Sequence, residues 1–450
     1  MNILELARNR AFWLIDALKG GKVHEALEIL KNVEDGVWDE KHIQDYQSRC
    51  LEQLLLHAKK TVPFYSNQKD TILEHWPVVN KNVLRENKEI VLSSIFNKNQ
   101  LIRMSTSGST GTPFVSWQNI EKKRHVNAET LYYNGKIGFQ IGRRIIYLRS
   151  IVTEVQKSNF QQFAQNIYLL DCNDLSDKGI KEKLRFIVKY SKDCGAMLMG
   201  YASTLTAFQK YFDKYGYEEV KEANIYGVVS GSEILYDNTR NIIEKAFQCK
   251  CVSRYANEEN GFLGQDGIIN NVFYMNQANY YFEILKMDAD TPADDGEIGR
   301  IVVTDLYNWA MPMIRYDTGD VGAFNKNTSN NKFAIGSFGG RIVDSIENCK
   351  GELVSPHAIT NLMWEYKSVK QFQFVQKNVG HYRIILNVGN ERIDEIELKN
   401  KFLKILGELA CVEFEYTNDI PVLASGKRRY IVNECRGKNS NDNLRRFSLS

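Results

Sequence analysis

The run Thr106-Ser107-Gly108-Ser109-Thr110-Gly111-Thr112-Pro113 sets two glycines among five hydroxyl side chains. Glycine admits close backbone approach, and clustered hydroxyls together with backbone N–H groups can fold over a triphosphate. No G-x-x-x-x-G-K-[ST] frame is present there, so this is not the usual P-loop, and on local composition alone it also fits a turn-rich connection. Other chemistry-bearing residues are less organised. Cys249 and Cys251 form a lone C-x-C with no second half at metal-ligand spacing. His125 and His357 stand outside any compact ligand cluster; His125, on a predicted helix, suits an acid-pocket wall or a satisfied structural histidine. Asp174 and Asp177 read as a helix start rather than as paired catalytic acids.

The elements that would position such a loop alternate. Residues 1–100 read as helices with polar connections; Leu51, Leu54, Leu55 and Leu56 form an apolar face, and 61–85, with two prolines, wraps over a neighbouring element. Leu101–Met104 reads as a short strand before the loop and 120–134 as a helix after it. Strands follow at 142–150, NIYLL, AMLMG and NIYGVVSG, with helices near 178–190 and 202–216. That alternation predicts an α/β body with parallel pairing, and Gly227–Gly231 marks a strand end a ligand can approach. From about 266 the pattern turns to strands and hairpins. Residues 345–433 read as a small α+β unit, with strands near 370–376 and 382–388, a helix over 391–407 and VEFEY as a further strand.

Composition bounds the function class. With 43% hydrophobic and 25% charged residues, the 450-residue chain can fill more than one core. Its 58 basic and 55 acidic side chains nearly balance, giving no reason to expect nucleic acid as a partner. Eight scattered cysteines suit reduced thiols in a cytoplasmic enzyme better than a disulfide scaffold. The first segment lacks a secretory core and cleavage site, and no stretch of about 18 apolar residues predicts a transmembrane span; the segment reads as an amphipathic helix packed on the body.

STSGSTGTP resembles the phosphate loop of the acyl-adenylate-forming (AMP-binding) superfamily. Further segments resemble that family in the same order over nearly the whole chain: VVSGSEI at 228–234, RYANEENG at 254–261, MIRYDTGDVG at 313–322, GGRIVDSI at 339–346 and LASGKRRY at 423–430. VPFYSNQ and the following WPVVNK resemble the amino-terminal region of phenylacetate–CoA ligases and of related capsule-biosynthesis adenylating proteins. The ordered set is specific to the superfamily and less so to a subfamily.

The resemblance implies a large α/β adenylation domain at 1–344, with a helical lead-in over 1–100. It also implies a smaller, mobile α+β domain at 345–435 and a flexible tail at 436–450, with the hinge near Asp344. It assigns Thr106, Ser107, Gly108, Ser109, Thr110 and Gly111 to the ATP phosphates. Ser230, Gly231, Ser232, Glu233 and Tyr255 form the adenine wall, Asp320 binds the ribose, and Arg341 contacts the nucleotide. Glu259 becomes the carboxylate facing Mg2+, and Lys427 the catalytic lysine. The chain departs from the family's Y-G-x-S/T-E pattern at Ala256 and Glu258. Asp317 is read as a support for its turn.

The implied reaction is ATP-dependent activation of a small carboxylic acid to acyl-AMP with release of pyrophosphate. Transfer to coenzyme A follows, with an aromatic acid favoured. The alternatives are adenylation of an amino or hydroxy acid for an amine acceptor or a separate carrier protein, as in surface-polysaccharide or secondary-metabolite biosynthesis, and a catalytically weak nucleotide-binding scaffold. Monomer and homodimer both stay open.

Overall fold

The front of the chain is helical. In the computed structural model, residues 1–105, 114–149, 157–172, 175, 177–232, 235–267, 269–324, 333–341, 346–351, 353–354, 359, 362–363, 366, 368–369, 371–388, 393–418, 420 and 431–435 are described. Helix α1 (Ile3–Leu18) opens with a reciprocal capping box between Asn2 and Glu5. Asn9 and Arg8 tie it to the carbonyls of Ile141 and Phe163, while Ile3, Leu14 and Leu18 stay exposed. Helices α2 (Lys22–Glu34) and α3 (Glu40–Thr61) follow; Asp39 caps the second of these. Leu54 and Leu55 of α3 are fully buried with Tyr65, Trp76 and Ile314. Leu56, read with them from the sequence, faces solvent instead, because each helical residue turns by about 100° and carries it off that face. Asn80 caps the short helix α4 (Lys81–Glu86) through the N–H groups of Asn82 and Val83.

Strands β1 (Ile102–Ser105) and β2 (Val115–Gln118) pair antiparallel and flank the glycine-rich run. Thr106 to Pro113 themselves lie outside the described residues. Helix α5 (Ile120–Gly135) leads into the alternating block: β3 (Arg144–Arg149), α6 (Asn159–Gln165), β4 (Ile167–Asp171), α7 (Asp177–Ser191), β5 (Ala196–Tyr201), α8 (Ala202–Tyr215), β6 (Ile225–Gly231), α9 (Asp237–Phe247) and β7 (Cys251–Asn257). The five strands pair parallel in the order β4-β3-β5-β6-β7. Such strands are covered on both faces, which is why β5 reads as a nearly continuous apolar run. Ile146, Leu198 and Val228 pack on Leu184 of α7, Phe208 of α8 and Ile243 of α9. Ile145, Met197 and Val229 pack on the other face with Ile137.

Strands β8 (Gly261–Gln265), β9 (Phe273–Met275), β10 (Tyr280–Leu285), β11 (Gly299–Asp305), β12 (Tyr316–Phe324) and β13 (Ala334–Arg341) continue the sheet in the order β7-β8-β9-β13-β12-β11-β10. Pairings β7–β8, β8–β9, β9–β13 and β10–β11 are antiparallel, so the change expected from about 266 begins a few residues earlier, at β8.

The chain divides into two units, Met1–Thr318 with Gly322–Phe338, and Gly319–Val321 with Gly339–Ser450. In the second, β14 (Ile346–Glu347) pairs with β15 (Leu353–Val354). Strands β16 (Gln371–Asn378) and β17 (His381–Asn387), helix α10 (Glu395–Leu406), and strands β18 (Cys411–Tyr416) and β19 (Ile431–Asn433) complete it. The sheet order is β18-β17-β16-β19, and Phe374, Ile384, Leu398 and Phe402 form its core. The fold is thus the expected α/β body with a smaller α+β C-terminal domain. Asp344 and the tail from residue 436 lie outside the described residues.

Candidate active site

Strands β7 and β8 are joined by a three-residue turn, Glu258-Glu259-Asn260, since Asn257 pairs with Gly261. The side chain of Asn257 accepts from the N–H of Asn260 at 2.8 Å and closes the turn. Gly261 has φ +115°, and a Cβ there would meet Glu129 Oε2 at 2.9 Å, so this position requires glycine. The turn drives Glu259 inward, where it is 1% exposed, and leaves Glu258 and Ala256, the two departures from the family pattern, on the surface.

Glu259 Oε1 accepts from the hydroxyl of Tyr316 at 2.7 Å and lies 2.8 Å from Lys81 Nζ. Its Oε2 is buried without a hydrogen-bond partner. The backbone carbonyl of Glu259 accepts from Gln118 Nε2 at 3.1 Å, so the end of β2, just beyond the glycine-rich run, is fastened to the same turn. A buried carboxylate with one oxygen held and one unsatisfied suits a hydrated magnesium ion, which takes one or two protein carboxylates together with phosphates. Among the described residues no group of three His, Cys, Asp or Glu side chains forms a further metal cluster.

Lys81 was not singled out in the sequence, although it ends the WPVVNK segment. Its position follows from a strap. The N–H of Val79 donates to the carbonyl of Arg315 at 3.0 Å, and the N–H of Asp317 donates back to the carbonyl of Val79 at 2.8 Å. Arg315, 2% exposed, donates to the carbonyls of Glu74 and Trp76 at 3.2 and 3.0 Å and to both carboxylate oxygens of Glu283. The proline-bearing front segment is thereby stitched to the start of β12, and Lys81, two residues after Val79, meets Glu259 at the oxygen that Tyr316 also holds.

A buried polar network backs the turn. Lys122 of α5 lies 2.8 Å from Asp305 Oδ2 and donates at 2.8 Å to the hydroxyl of Tyr280, which donates in turn to the carbonyl of Asn260 at 2.7 Å. Glu129 accepts from the N–H of Phe262 and from Asn279 Nδ2, and burial pushes its carboxyl up. His125 bonds Asn279 through Nδ1 at 2.8 Å and stacks on Tyr307; burial pulls its pKa down to about 3. It is therefore a neutral, satisfied core histidine.

The remaining predicted residues divide. Tyr255 is a core side chain, edge-on to Phe273, with its hydroxyl donating to Thr318 Oγ1 at 3.2 Å. Ser230 is buried with no hydrogen-bond partner for Oγ; Gly231 ends β6, and Ser232 follows at φ +68°. Such a conformation in a non-glycine residue beyond a parallel strand is a mark of functional sites. Asp317 is held by Arg300 at 3.1 Å, in keeping with turn support. Asp320 is half-buried on β12 after Gly319, whose φ of +74° needs glycine. Arg341 is the last residue of β13. Thr106, Ser107, Gly108, Ser109, Thr110, Gly111, Glu233, His357, Asp174 and Lys427 lie outside the described residues, while Asp177 begins α7 and pairs with Lys214 at 2.6 Å.

Comparison with known proteins bears on this arrangement. Residues 346–434 match the family model described as CapK C-terminal domain. Protein CapK of Staphylococcus aureus is 25% identical over 418 residues, covering 87% of this chain and 89% of that protein. A 2-hydroxyisobutyryl-CoA ligase solved in its postadenylation state with R3-HIB-AMP superposes with a TM-score of 0.67 at 15% identity, over 90% of this chain and 92% of that one. Over most of its length the chain has the fold of these acyl-adenylate-forming ligases. An anthranilate CoA ligase in complex with anthranoyl-AMP shares this fold at a TM-score of 0.53 and 12% identity, over 78% of this chain and 69% of that one.

Proposed function

We propose that the protein activates a small carboxylic acid with ATP, forming acyl-AMP and pyrophosphate. The observation that carries this reading is the buried Glu259, with Oε1 held by Lys81 and Tyr316 and Oε2 unsatisfied, at a strand turn of an adenylate-forming fold. An oxygen of the acid forms a bond to the α-phosphorus while the bond from that phosphorus to the bridging oxygen breaks and pyrophosphate departs. Charge accumulates on the phosphate oxygens, and preorganised cations in a water-poor site stabilise it. Lys81 supplies one such cation and Lys427 a second, the latter at the attacking carboxylate and α-phosphate. Thr106–Gly111 cradle the phosphates, Asp320 accepts from the ribose hydroxyls, Arg341 binds nucleotide oxygens, and Ser230–Glu233 with Tyr255 line the adenine side. Glu259 would hold magnesium, which supplies Lewis-acid neutralisation of phosphate charge when bound.

For the second half-reaction we take coenzyme A as acceptor, with an aromatic acid the favoured first substrate, in the cytoplasm where both nucleotides are available. A hinge at Asp344, between domains at 1–344 and 345–435, would withdraw Lys427 and admit the thiol. The match to Protein CapK favours a second reading, in which an amino or hydroxy acid passes to an amine or to a carrier thiol for a surface polysaccharide.

The test is acid-dependent ATP–pyrophosphate exchange over aromatic, fatty, hydroxy and amino acids. Exchange with at least one acid is expected. ATP binding without exchange across the panel would turn the reading toward a nucleotide-binding scaffold, and ADP as product would turn it toward a kinase.

A further inference from the structure

On the face of the parallel sheet that carries α5, a cavity of about 510 Å³ is framed by β3, β4, β5, α5 and α6. Its floor is apolar, from strand residues such as Ile145 and Leu169. Its walls carry two cations, Arg149 and Lys157, and the amides of Asn134, Gln161 and Gln165; among the described residues no lining residue is Asp or Glu. A third cation, Arg254, stands behind Asn134 and donates to its Oδ1, and burial brings that guanidinium down to about 10. Nε of Arg149 and Nε of Arg254 are buried without hydrogen-bond partners, as is Asn134 Nδ2. Arg149 lies over the ring of Tyr147, its Cζ 5.2 Å from the centroid, and Lys157 Nζ donates to a neutral group in the wall, Gln165 Oε1 at 2.6 Å. The Lys157 ammonium is pushed down first by burial and then by repulsion from Arg149. Asp171 pairs in register with Arg149 on the next strand but is not part of the lining. Among the described residues, one carboxylate beside three partly desolvated cations leaves a positive excess.

Cations gathered round a sheltered cavity without matching carboxylates are costly unless an anion joins them. A guanidinium with a spare N–H suits carboxylate and phosphoryl oxygens. The volume matches a small organic ligand. The cavity also lies at the right end of the sheet. Tyr147 pairs with Met199, so Arg149 stands level with Tyr201, which pairs with Gly231 at the end of β6. Ligands of open parallel sheets bind beyond these carboxyl ends.

The geometry points to this cavity as the pocket for the distal end of the acid, and to an acid that carries a second anionic group, carboxylate or phosphoryl, bound by Arg149 and Lys157. The assignment of the other carboxylate to adenylation rests on the reading above; the anion binding does not.

Calorimetric titration without ATP tests the pocket. The probes are succinate, phthalate and 3-phosphoglycerate, their single-charge counterparts butyrate, benzoate and glycerate, and inorganic phosphate with adenosine 3′,5′-bisphosphate. A doubly anionic acid should bind at least about 10-fold more tightly than its counterpart, and Arg149→Gln and Lys157→Gln should each weaken it by about 10- to 100-fold, the worth of a charged hydrogen bond. Arg149→Lys, which keeps the charge, should recover part of the loss, which separates binding from misfolding. Carboxyl against phosphoryl preference follows from succinate and phthalate against 3-phosphoglycerate. The same acid should then drive pyrophosphate exchange. Dianion binding that is lost in the variants, with no exchange for any acid, would leave the pocket standing and remove adenylation. Exchange driven equally by single-charge acids in wild type and both glutamine variants would remove the pocket assignment and leave adenylation. Binding of phosphate or the bisphosphate alone would also overturn it.

Discussion

Lys81 Nζ lies 2.8 Å from Oε1 of Glu259, a side chain from the helical front set against a carboxylate in the β7–β8 turn. Lys81 is about one-third exposed and Glu259 is almost wholly buried, so the lysine bridges solvent and site. Lys81→Ala should lower the rate of pyrophosphate exchange by about 10- to 100-fold and cost about 1–3 kcal/mol of stability, because it leaves the buried Glu259 carboxylate without its cation. Exchange kinetics beside a thermal melt checks this; undiminished exchange would assign Lys81 to structure alone.

Tyr316 and Glu259 make a second testable pair. Glu259→Gln should raise the magnesium concentration needed for half-maximal exchange and depress the maximum. Tyr316→Phe removes one hydrogen bond to the same carboxylate and should cost about 1 kcal/mol, a shift of roughly 5-fold in the same titration. Unchanged magnesium curves in both would move the metal elsewhere.

Lys427→Ala should abolish most exchange, by a factor of about 100 to 1,000, if that ammonium stabilises charge at the α-phosphate. Urea denaturation of the variant should match wild type. Preserved exchange would remove Lys427 from the chemistry.

The order of strands and helices was readable because β3, β5 and β6 are buried on both faces and write unbroken apolar runs between amphipathic helices. The turn Asn257–Gly261 was readable as a motif. What it touches was not: the partners of Glu259 come from α4 and β12, and nothing in the local pattern around Lys81 announces a cation destined for a buried carboxylate. Lys122 was equally hidden, since α5 mixes polar and apolar residues around its whole circumference and a fully buried lysine on it reads as solvated. Tyr255 shows both sides. Its place in the motif was readable, while its packing on Phe273 and its bond to Thr318 were not.

The Lys122 ammonium, fully buried between Asp305 and Tyr280, should be expensive to remove. Lys122→Met leaves the Asp305 and Glu129 carboxylates without their cation and should destabilise the fold by about 3–5 kcal/mol in equilibrium denaturation. A loss below about 1 kcal/mol would mean that the ammonium contributes no more there than an ordinary hydrogen bond.

His125 sets a pH dependence whose sign is fixed. Its ring stays neutral in the native state down to about 3, held there mainly by burial, whereas the unfolded chain protonates it near 6.5. The depressed native value means its contribution is complete above about pH 6.5 and is lost as the pH falls below that, by about 1.4 kcal/mol per unit. Between pH 6.5 and 5.5, wild type should therefore lose about 1 kcal/mol more stability than His125→Gln in urea titrations. Parallel losses in the two proteins would show that the ring is protonated in the native state.

Arg315 reaches from the head of β12 to the carbonyls of Glu74 and Trp76 and to the carboxylate of Glu283. Anyone recombining modules among relatives of this fold inherits a constraint from it. A graft that exchanges only the first hundred residues would bring a foreign lysine on a foreign strap, docked to strands that never co-evolved with it. Residues 74–81, the strand bearing Glu283 and the head of β12 at Arg315 form one transferable block, and a chimera that cuts between them should fold in halves that no longer agree on where the lysine paired with Glu259 belongs.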